Sequence, residues 1–312
     1  MKQLFYDDLR RNITQVRSIL NDTNTILLIT HANCMDGMGC ELLMEKLFSS
    51  VIVMKSSPQK VNDLVANLDA SNYDAIVFAD ISTTNEDFLN NKHVMLVDHH
   101  DTASNLHDPD NLIFVYDFEC GSKLLKRVIE AAKRKPLKQL DELVDIINDY
   151  DLWIHNDKRS KKLAKTFYSR KSDEEFAERF WNFKVSFTQE EEDKFEEDAI
   201  KYEQIYNQLE IFELDQTLTG FAVFGSYNND LCHDIMVRNK LRVAIIFNTQ
   251  TRCASIRTVD EEVHLGEMMK EYGTGGGHPM AAGFKAINDN KLRDTLEFID
   301  DYLYQNYPSL RK

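Results

Sequence analysis

The 312-residue sequence holds no Cys-x-x-Cys pair, no apolar run of about 18 residues or more and no long low-complexity tract. Its five cysteines (Cys34, Cys40, Cys120, Cys232, Cys253) are odd in number and scattered. That argues for reduced thiols, and against both a disulfide framework and a thiolate zinc site. The opening stretch Met1-Lys2-Gln3-Leu4-Phe5-Tyr6-Asp7-Asp8 lacks the pattern of a signal peptide, so a cytoplasmic protein with no membrane association is expected. An excess of base is missing too. With a formal net charge of −15 the chain as a whole does not suit long duplex nucleic acid, which is gripped through phosphate neutralisation. The acid is uneven: residues 158–171 (KRSKKLAKTFYSRK) and Lys133-Arg134-Lys135 are basic, whereas 173–198 is acidic. These runs read either as a local hold on a short anionic substrate or as solvated helix faces.

What is present is an alternation. Apolar strand-like runs at 25–30, 51–54, 75–78, 94–97 and 112–116 are separated by amphipathic helical segments at 41–48 and 61–68. A helix over 6–20 precedes them, and helices over 121–134 and 138–149 follow. Strands alternating with helices predict an α/β fold with a doubly wound, mostly parallel sheet. From about 160 to 212 the pattern becomes long, charged and helical. Strand-like runs return at 218–224, 241–248 and 253–257, followed by a glycine cluster from Gly273 to Gly277 and a helix over 292–304. The expected organisation is a catalytic domain over 1–159, a helical connector over 160–212 and a smaller C-terminal α/β domain over 213–312.

The strands end in ionisable residues. Val94-Met95-Leu96-Val97 runs into Asp98-His99-His100-Asp101, the first strand into His31 with Asp36 beyond it, and the third into Asp80. The helix 138–149 runs into Asn148-Asp149-Tyr150-Asp151-Leu152-Trp153. In a parallel sheet the strand ends share one edge, where ligands bind. Imidazole and carboxylate gathered there suit two divalent ions acting on phosphate, ideally with one carboxylate bridging both. His31, Asp36, Asp80, His99 and Asp151 or Asp149 supply the ligands, and Asp80 is the residue placed to bridge. Neighbouring side chains on a strand point to opposite sides, so only one of His99 and His100 can face the metal directly. Without thiolate, such a set favours Mn²⁺ over zinc.

These residues resemble the successive motifs of the DHH phosphoesterase superfamily: His31-Ala-Asn-Cys-Met-Asp36-Gly37, Ala79-Asp80-Ile81-Ser82, Val97-Asp98-His99-His100 and Asp149-Tyr150-Asp151-Leu152-Trp153. Gly275-Gly276-Gly277-His278-Pro279-Met280-Ala281-Ala282-Gly283 resembles the signature of its associated C-terminal domain. The resemblance implies two Mn²⁺ ions, with Mg²⁺ or Co²⁺ as substitutes, and phosphoester or phosphoanhydride hydrolysis. It implies His99 as metal ligand, His100 as the phosphate contact and Asp98 as its support. Many members have a second aspartate in the first motif, two residues from the first. Here Asp36 is followed by Gly37 and Met38. Either Asp36 serves alone, as in members with a Cys-x-Asp-Gly version, or one metal is held more weakly. In the fourth motif Asp151 is favoured and Asp149 is the alternative.

Arg257, Gly276, Gly277 and His278 are the candidates for holding substrate. Successive glycines can bring backbone N–H groups close to a phosphate, and an arginine fork can grip it. A flexible turn and a surface arginine are the plainer readings. The expected activity is a metal-dependent phosphodiesterase that cuts short oligoribonucleotides or linear dinucleotides to mononucleotides. The family's single-strand exonucleases carry additional nucleic-acid-binding domains, for which 312 residues leave no room. The alternatives are a phosphatase of 3′-phosphoadenosine 5′-phosphate and a non-catalytic nucleotide sensor of the same fold. The expected partners are short single-stranded oligonucleotides or small nucleotides, and the sequence leaves a homodimer open.

Overall fold

Leu27, Ile29, Ile76, Phe78 and Leu96 pack on one face of a sheet, while Ile26, Leu28, Val77, Met95 and Val97 pack on the other. Strands apolar on both faces must be covered on both faces, which is the arrangement of a parallel sheet wound with helices. The computed structural model of the chain describes residues 1–225, 229–260, 262–273 and 275–312, with backbone alone for 229, 230 and 278. The chain divides into two units, 1–188 and 189–312.

The first unit opens with helices α1 (Lys2–Arg11) and α2 (Ile13–Ile19). Then come β1 (Ile26–His31), α3 (Met35–Leu47), β2 (Val51–Ser56), α4 (Val61–Ala66), β3 (Ala75–Ala79), α5 (Glu86–Leu89), β4 (Val94–Asp98) and β5 (Ile113–Val115). Helices α6 (Gly121–Lys133), α7 (Asp141–Asp151), α8 (Lys158–Tyr168) and α9 (Asp173–Phe180) complete it. The strands form a parallel sheet of order β2-β1-β3-β4-β5. That order reverses direction between β1 and β3, so a crevice opens beyond their carboxyl ends, the ligand position of doubly wound sheets. His31 ends β1 and Asp80 directly follows β3.

The helix expected over 6–20 is two helices. They break at Asn12, whose side-chain amide donates to the Asp8 carbonyl and competes with the helical ladder.

The second unit holds α10 (Gln189–Gln208), β6 (Ile211–Glu213), β7 (Thr219–Val223), α11 (Asn229–Asn239), β8 (Val243–Asn248) and β9 (Cys253–Thr258). After these come α12 (Leu265–Tyr272), β10 (Gly275–His278), β11 (Ala281–Lys285) and α13 (Asp289–Asn306). The sheet order is β10-β11-β9-β8-β7-β6, antiparallel except for the parallel pair β7–β8. One apolar layer includes residues of α12 and α13, the other residues of α10 and α11. Among the described residues no helix is long and apolar enough to cross a membrane.

The expected connector over 160–212 is divided between the units. Phe167, Phe176, Phe180 and Phe183 are buried in the core of the first unit, so α8 and α9 belong there. The charged α10 goes with the second unit, where Tyr202 donates its hydroxyl to Asp234.

Candidate metal centre

Three buried carboxylates meet at the crevice. Asp36 lies in the first turn of α3, Asp80 follows β3 and Asp98 ends β4, each only 1 % exposed. Carboxylates this deeply withdrawn from water need partners or cations. Asp80 has φ 61°, a left-handed conformation that aspartate tolerates better than most residues, and its N–H donates to the Val97 carbonyl. The turn presents its two oxygens in different directions. Oδ2 lies 3.8 Å from His31 Nδ1, and Oδ1 lies 3.2 Å from His99 Nε2.

His99 Nε2 is also 3.4 Å from Asp151 Oδ2 and 3.8 Å from Asp36 Oδ2. Three overlapping donor sets stand together. Asp36, His99 and Asp151 form one, His31, Cys34 and Asp80 a second, and Asp80, Asp98, His99 and His100 a third, with ligand atoms in each set within 4.8 Å of one another. His31 Nδ1, Asp36 Oδ2 and Asp80 Oδ2 are buried without a hydrogen-bond partner. Buried polar atoms are rarely left so, and divalent cations would satisfy all three. The residues fit the metal-binding expectation.

The electrostatics follow from crowding. Burial, then the neighbouring Asp36 and Asp151 charges, push the Asp80 carboxyl well above its ordinary value. Burial and Asp36 push Asp151 up to about 6. Burial and His100 push His31 down. Burial also pushes the Cys34 thiol well up, with the Asp80 and Asp151 charges adding to it. Asp98 differs. Burial raises it, but the hydrogen bond and charge of His100 and the Ser82 hydroxyl outweigh burial and hold it low.

Asp98 and His100 form a pair. Asp98 Oδ1 is 2.7 Å from His100 Nδ1 and accepts from the backbone N–H groups of His99 (2.7 Å) and His100 (3.3 Å). Burial depresses His100, but the Asp98 partnership more than offsets this and raises its pKa. His100 Nδ1 is 4.0 Å from Asp80, and 40 % of its side chain is exposed, against 11 % for His99. His99 Nε2 thus lies within 3.8 Å of Asp36, Asp80 and Asp151, whereas the nearest carboxylate to His100 is Asp98, and both rings share one donor group with Asp80 and Asp98.

Asp149 is not one of the clustered carboxylates. Its Oδ1 accepts from Asn156 N (2.9 Å) and its Oδ2 from Asp157 N (3.1 Å), so both oxygens are engaged in holding the loop after α7. Met38 is 2 % exposed within the core, and its sulfur lies 3.9 Å from Lys55 Nζ. The chain's departure from a two-aspartate first motif therefore meets the cluster at Cys34, the extended residue before α3, and not at position 38.

Two supports were not read from the sequence. Gly121 opens α6 against the cluster, and a Cβ there would come within 2.8 Å of Asp80 Cβ and 2.9 Å of Asp36 Oδ2. The next residue, Ser122, donates its backbone N–H to Asp36 Oδ1 at 3.0 Å, placing a helix N-terminus on a carboxylate. The Cys120-Gly121-Ser122 turn carries no acid or imidazole, so nothing marked it.

In the second unit the glycine cluster is a strand, not a loop. Gly275 to His278 pair with Ala281 to Phe284 in an antiparallel hairpin. Close packing is one reason for the glycines: a Cβ on Gly275 would meet the Gly283 carbonyl at 2.3 Å, and one on Gly277 (φ 157°) the Ala281 carbonyl at 2.2 Å. A Cβ on Gly276 would meet nothing within 4 Å. Backbone register puts 257, 281 and 278 in one row across β9, β11 and β10. The Arg257 guanidinium donates to the Ile256 carbonyl at 2.8 Å, and burial depresses its pKa. The side chain of His278 lies outside the described residues.

Residues 231–305 match the DHHA1 domain family. The chain is similar to the oligoribonuclease NrnB of Bacillus subtilis (strain 168), with 26% identity over 288 residues covering 80% of this chain and 70% of the relative. Among solved structures it resembles RecJ of Thermus thermophilus in complex with Mn²⁺, at 14% identity, with 96% of this chain and 55% of RecJ covered and a TM-score of 0.56. It also resembles the pGpG-specific phosphodiesterase PggH of Vibrio cholerae, at 12% identity, covering 90% and 99% of the two chains with a TM-score of 0.52. The likenesses to solved structures bear on the fold. With a DHHA1 match over residues 231–305, after a parallel sheet whose fourth strand ends in Asp98-His99-His100, and with its similarity to an oligoribonuclease, the chain resembles the DHH phosphoesterase superfamily.

Proposed function

We propose that the protein is a Mn²⁺-dependent phosphodiesterase that hydrolyses short oligoribonucleotides or linear dinucleotides to mononucleotides. The observation that carries this is the division of Asp80, one oxygen toward His31 and the other toward His99, as a carboxylate bridging two cations requires. His31 and Asp80 would hold one ion, and Asp36, Asp80, His99 and Asp151 the other. When bound, two such cations acidify a water and neutralise charge on phosphoryl oxygens. The side chains around them do the rest. His100, whose pKa the Asp98 partnership raises, donates a ring N–H to a phosphoryl oxygen as charge builds there. Asp98, fixed by Ser82 and two backbone N–H groups, orients that ring.

The substrate class comes from the similarity to an oligoribonuclease and from the acidity of the chain, which disfavours long duplexes. In the second unit, Arg257, Gly276 and Gly277 are the candidates for holding a nucleotide, through the guanidinium and the backbone at the open Gly276 position. The test is a panel of 5′-labelled RNA and DNA oligonucleotides of about two to ten residues, incubated with Mn²⁺ and resolved by chromatography. Fastest release of mononucleotides from the shortest RNAs supports the reading. Release of inorganic phosphate from 3′-phosphoadenosine 5′-phosphate with all oligonucleotides intact would contradict it.

A further inference from the structure

Cys34 is a free cysteine, half-buried, at the residue that precedes α3. Its sulfur, His31 nitrogen and an Asp80 oxygen lie within 4.8 Å of one another. On the same two side chains, His31 Nδ1 and Asp80 Oδ2 are buried, 3.8 Å apart, and without a hydrogen-bond partner. In a tetrahedral site with metal–ligand bonds of about 2.0–2.3 Å, ligand atoms stand about 3.3–3.8 Å apart. At 3.8 Å the His31–Asp80 separation is about 0.4 Å wider than a tetrahedral edge between nitrogen and oxygen ligands, with the sulfur in the same small volume. Imidazole, thiolate and carboxylate are all ordinary ligands of borderline divalent ions.

We infer that Cys34 is a metal ligand, and that His31, Cys34 and Asp80 make a thiolate-containing cation site beside the all-oxygen-and-imidazole site of Asp36, His99 and Asp151. The inference rests on the two-cation reading above and adds to it a difference between the two positions. Sulfur is one bond from Cβ, whereas a carboxylate oxygen is two, but a metal–sulfur bond is longer than a metal–oxygen bond, which recovers part of the reach. The chemical consequence is larger than the geometric one. Thiolate is a soft donor that selects Zn²⁺ and similar borderline ions, whereas carboxylate suits Mn²⁺ and Mg²⁺. The position built on Cys34 therefore takes Zn²⁺ or Co²⁺ more readily, relative to Mn²⁺, than the Asp36–His99–Asp151 position does. Binding releases the Cys34 proton to solvent, because only the thiolate ligates.

Cobalt reports the thiolate directly, independently of turnover. Co²⁺ is titrated into metal-free protein, and the near-ultraviolet thiolate-to-cobalt charge-transfer band is recorded beside bound cobalt measured by mass spectrometry of the desalted protein. The wild type is expected to develop the band, and Cys34→Asp to bind cobalt without it. In competition, the ratio of Zn²⁺ to Mn²⁺ affinity is expected to fall in Cys34→Asp relative to wild type. The other four cysteines are unchanged in that variant, so a band that persists in it overturns the assignment. Cobalt bound to wild type with no band overturns the thiolate ligand and leaves the two-cation reading standing. No cobalt bound to a folded wild type, as judged by circular dichroism, overturns both.

Discussion

Asp80 concentrates the cost and the use of this site in one residue. It is buried, held at a left-handed φ, and pushed toward the protonated form by burial and by two neighbouring carboxylates. A carboxyl whose folded pKa is raised binds protons in preference to the unfolded chain, so it favours folding at low pH and opposes it once ionised. Asp80→Asn is therefore expected to leave the metal-free melting temperature equal to or above that of wild type at neutral pH, while bound metal and turnover are lost. A variant that kept its metal would contradict the bridging role. For the adjacent histidines, His99→Ala should lose metal affinity, whereas His100→Ala should keep metal and lose about 10²–10³-fold in kcat. Equal calorimetric losses of metal binding in both would contradict this division. Gly121 has no chemistry of its own, yet Gly121→Ala should destabilise the fold by about 1–3 kcal/mol and weaken metal binding, because its methyl enters the space of Asp80 and Asp36. Thermal melts with and without metal read both effects.

At the scale of elements, the strands announced themselves. Runs such as Thr25–Thr30 and Val94–Val97 are apolar on both faces and end in ionisable residues, so strand, burial and site were legible together. Turns were less so. Gly275-Gly276-Gly277 reads as a flexible loop because glycine carries no side-chain periodicity, yet pairing with β11 extends it. The adjacency of Asp149 and Asp151 could not be resolved by spacing, because which carboxylate faces the crevice depends on the loop that follows. That loop holds Trp153 and His155 at φ 54° and 52°, and the Asp149 side chain and carbonyl accept its N–H groups from Ile154 to Asp157. Asp149→Ala removes two charge-assisted hydrogen bonds and should cost about 2–4 kcal/mol in urea unfolding. Asp151→Ala should cost metal affinity instead. Metal lost from Asp149→Ala with stability unchanged would reverse the two roles.

For the whole molecule, buried aromatic residues assign α8 and α9 to the first unit, and the charged α10 goes with the second. Phe167, Phe176, Phe180 and Phe183 sit among so many charged residues that the segment reads as a partly packed helical connector, yet all four are buried in the first unit's core. Metal and proton compete for the same cluster. Asp151 shifts from an ordinary 3.8 to about 6, so the stability it contributes below about pH 4 is lost as pH rises through 6 in the metal-free chain. Mn²⁺ should accordingly raise the melting temperature more at pH 7.5 than at pH 5.5, and a larger rise at pH 5.5 would contradict the sign. The most direct test of the two-cation phosphodiesterase is turnover of a 5′-phosphorylated RNA dinucleotide as a function of Mn²⁺ bound to initially metal-free protein. Cleavage to mononucleotides is expected to be absent without cation and to reach its maximum as two ions bind per chain, with Asp80→Asn inactive throughout. An intact dinucleotide at two bound ions, or full cleavage with none, would contradict the account.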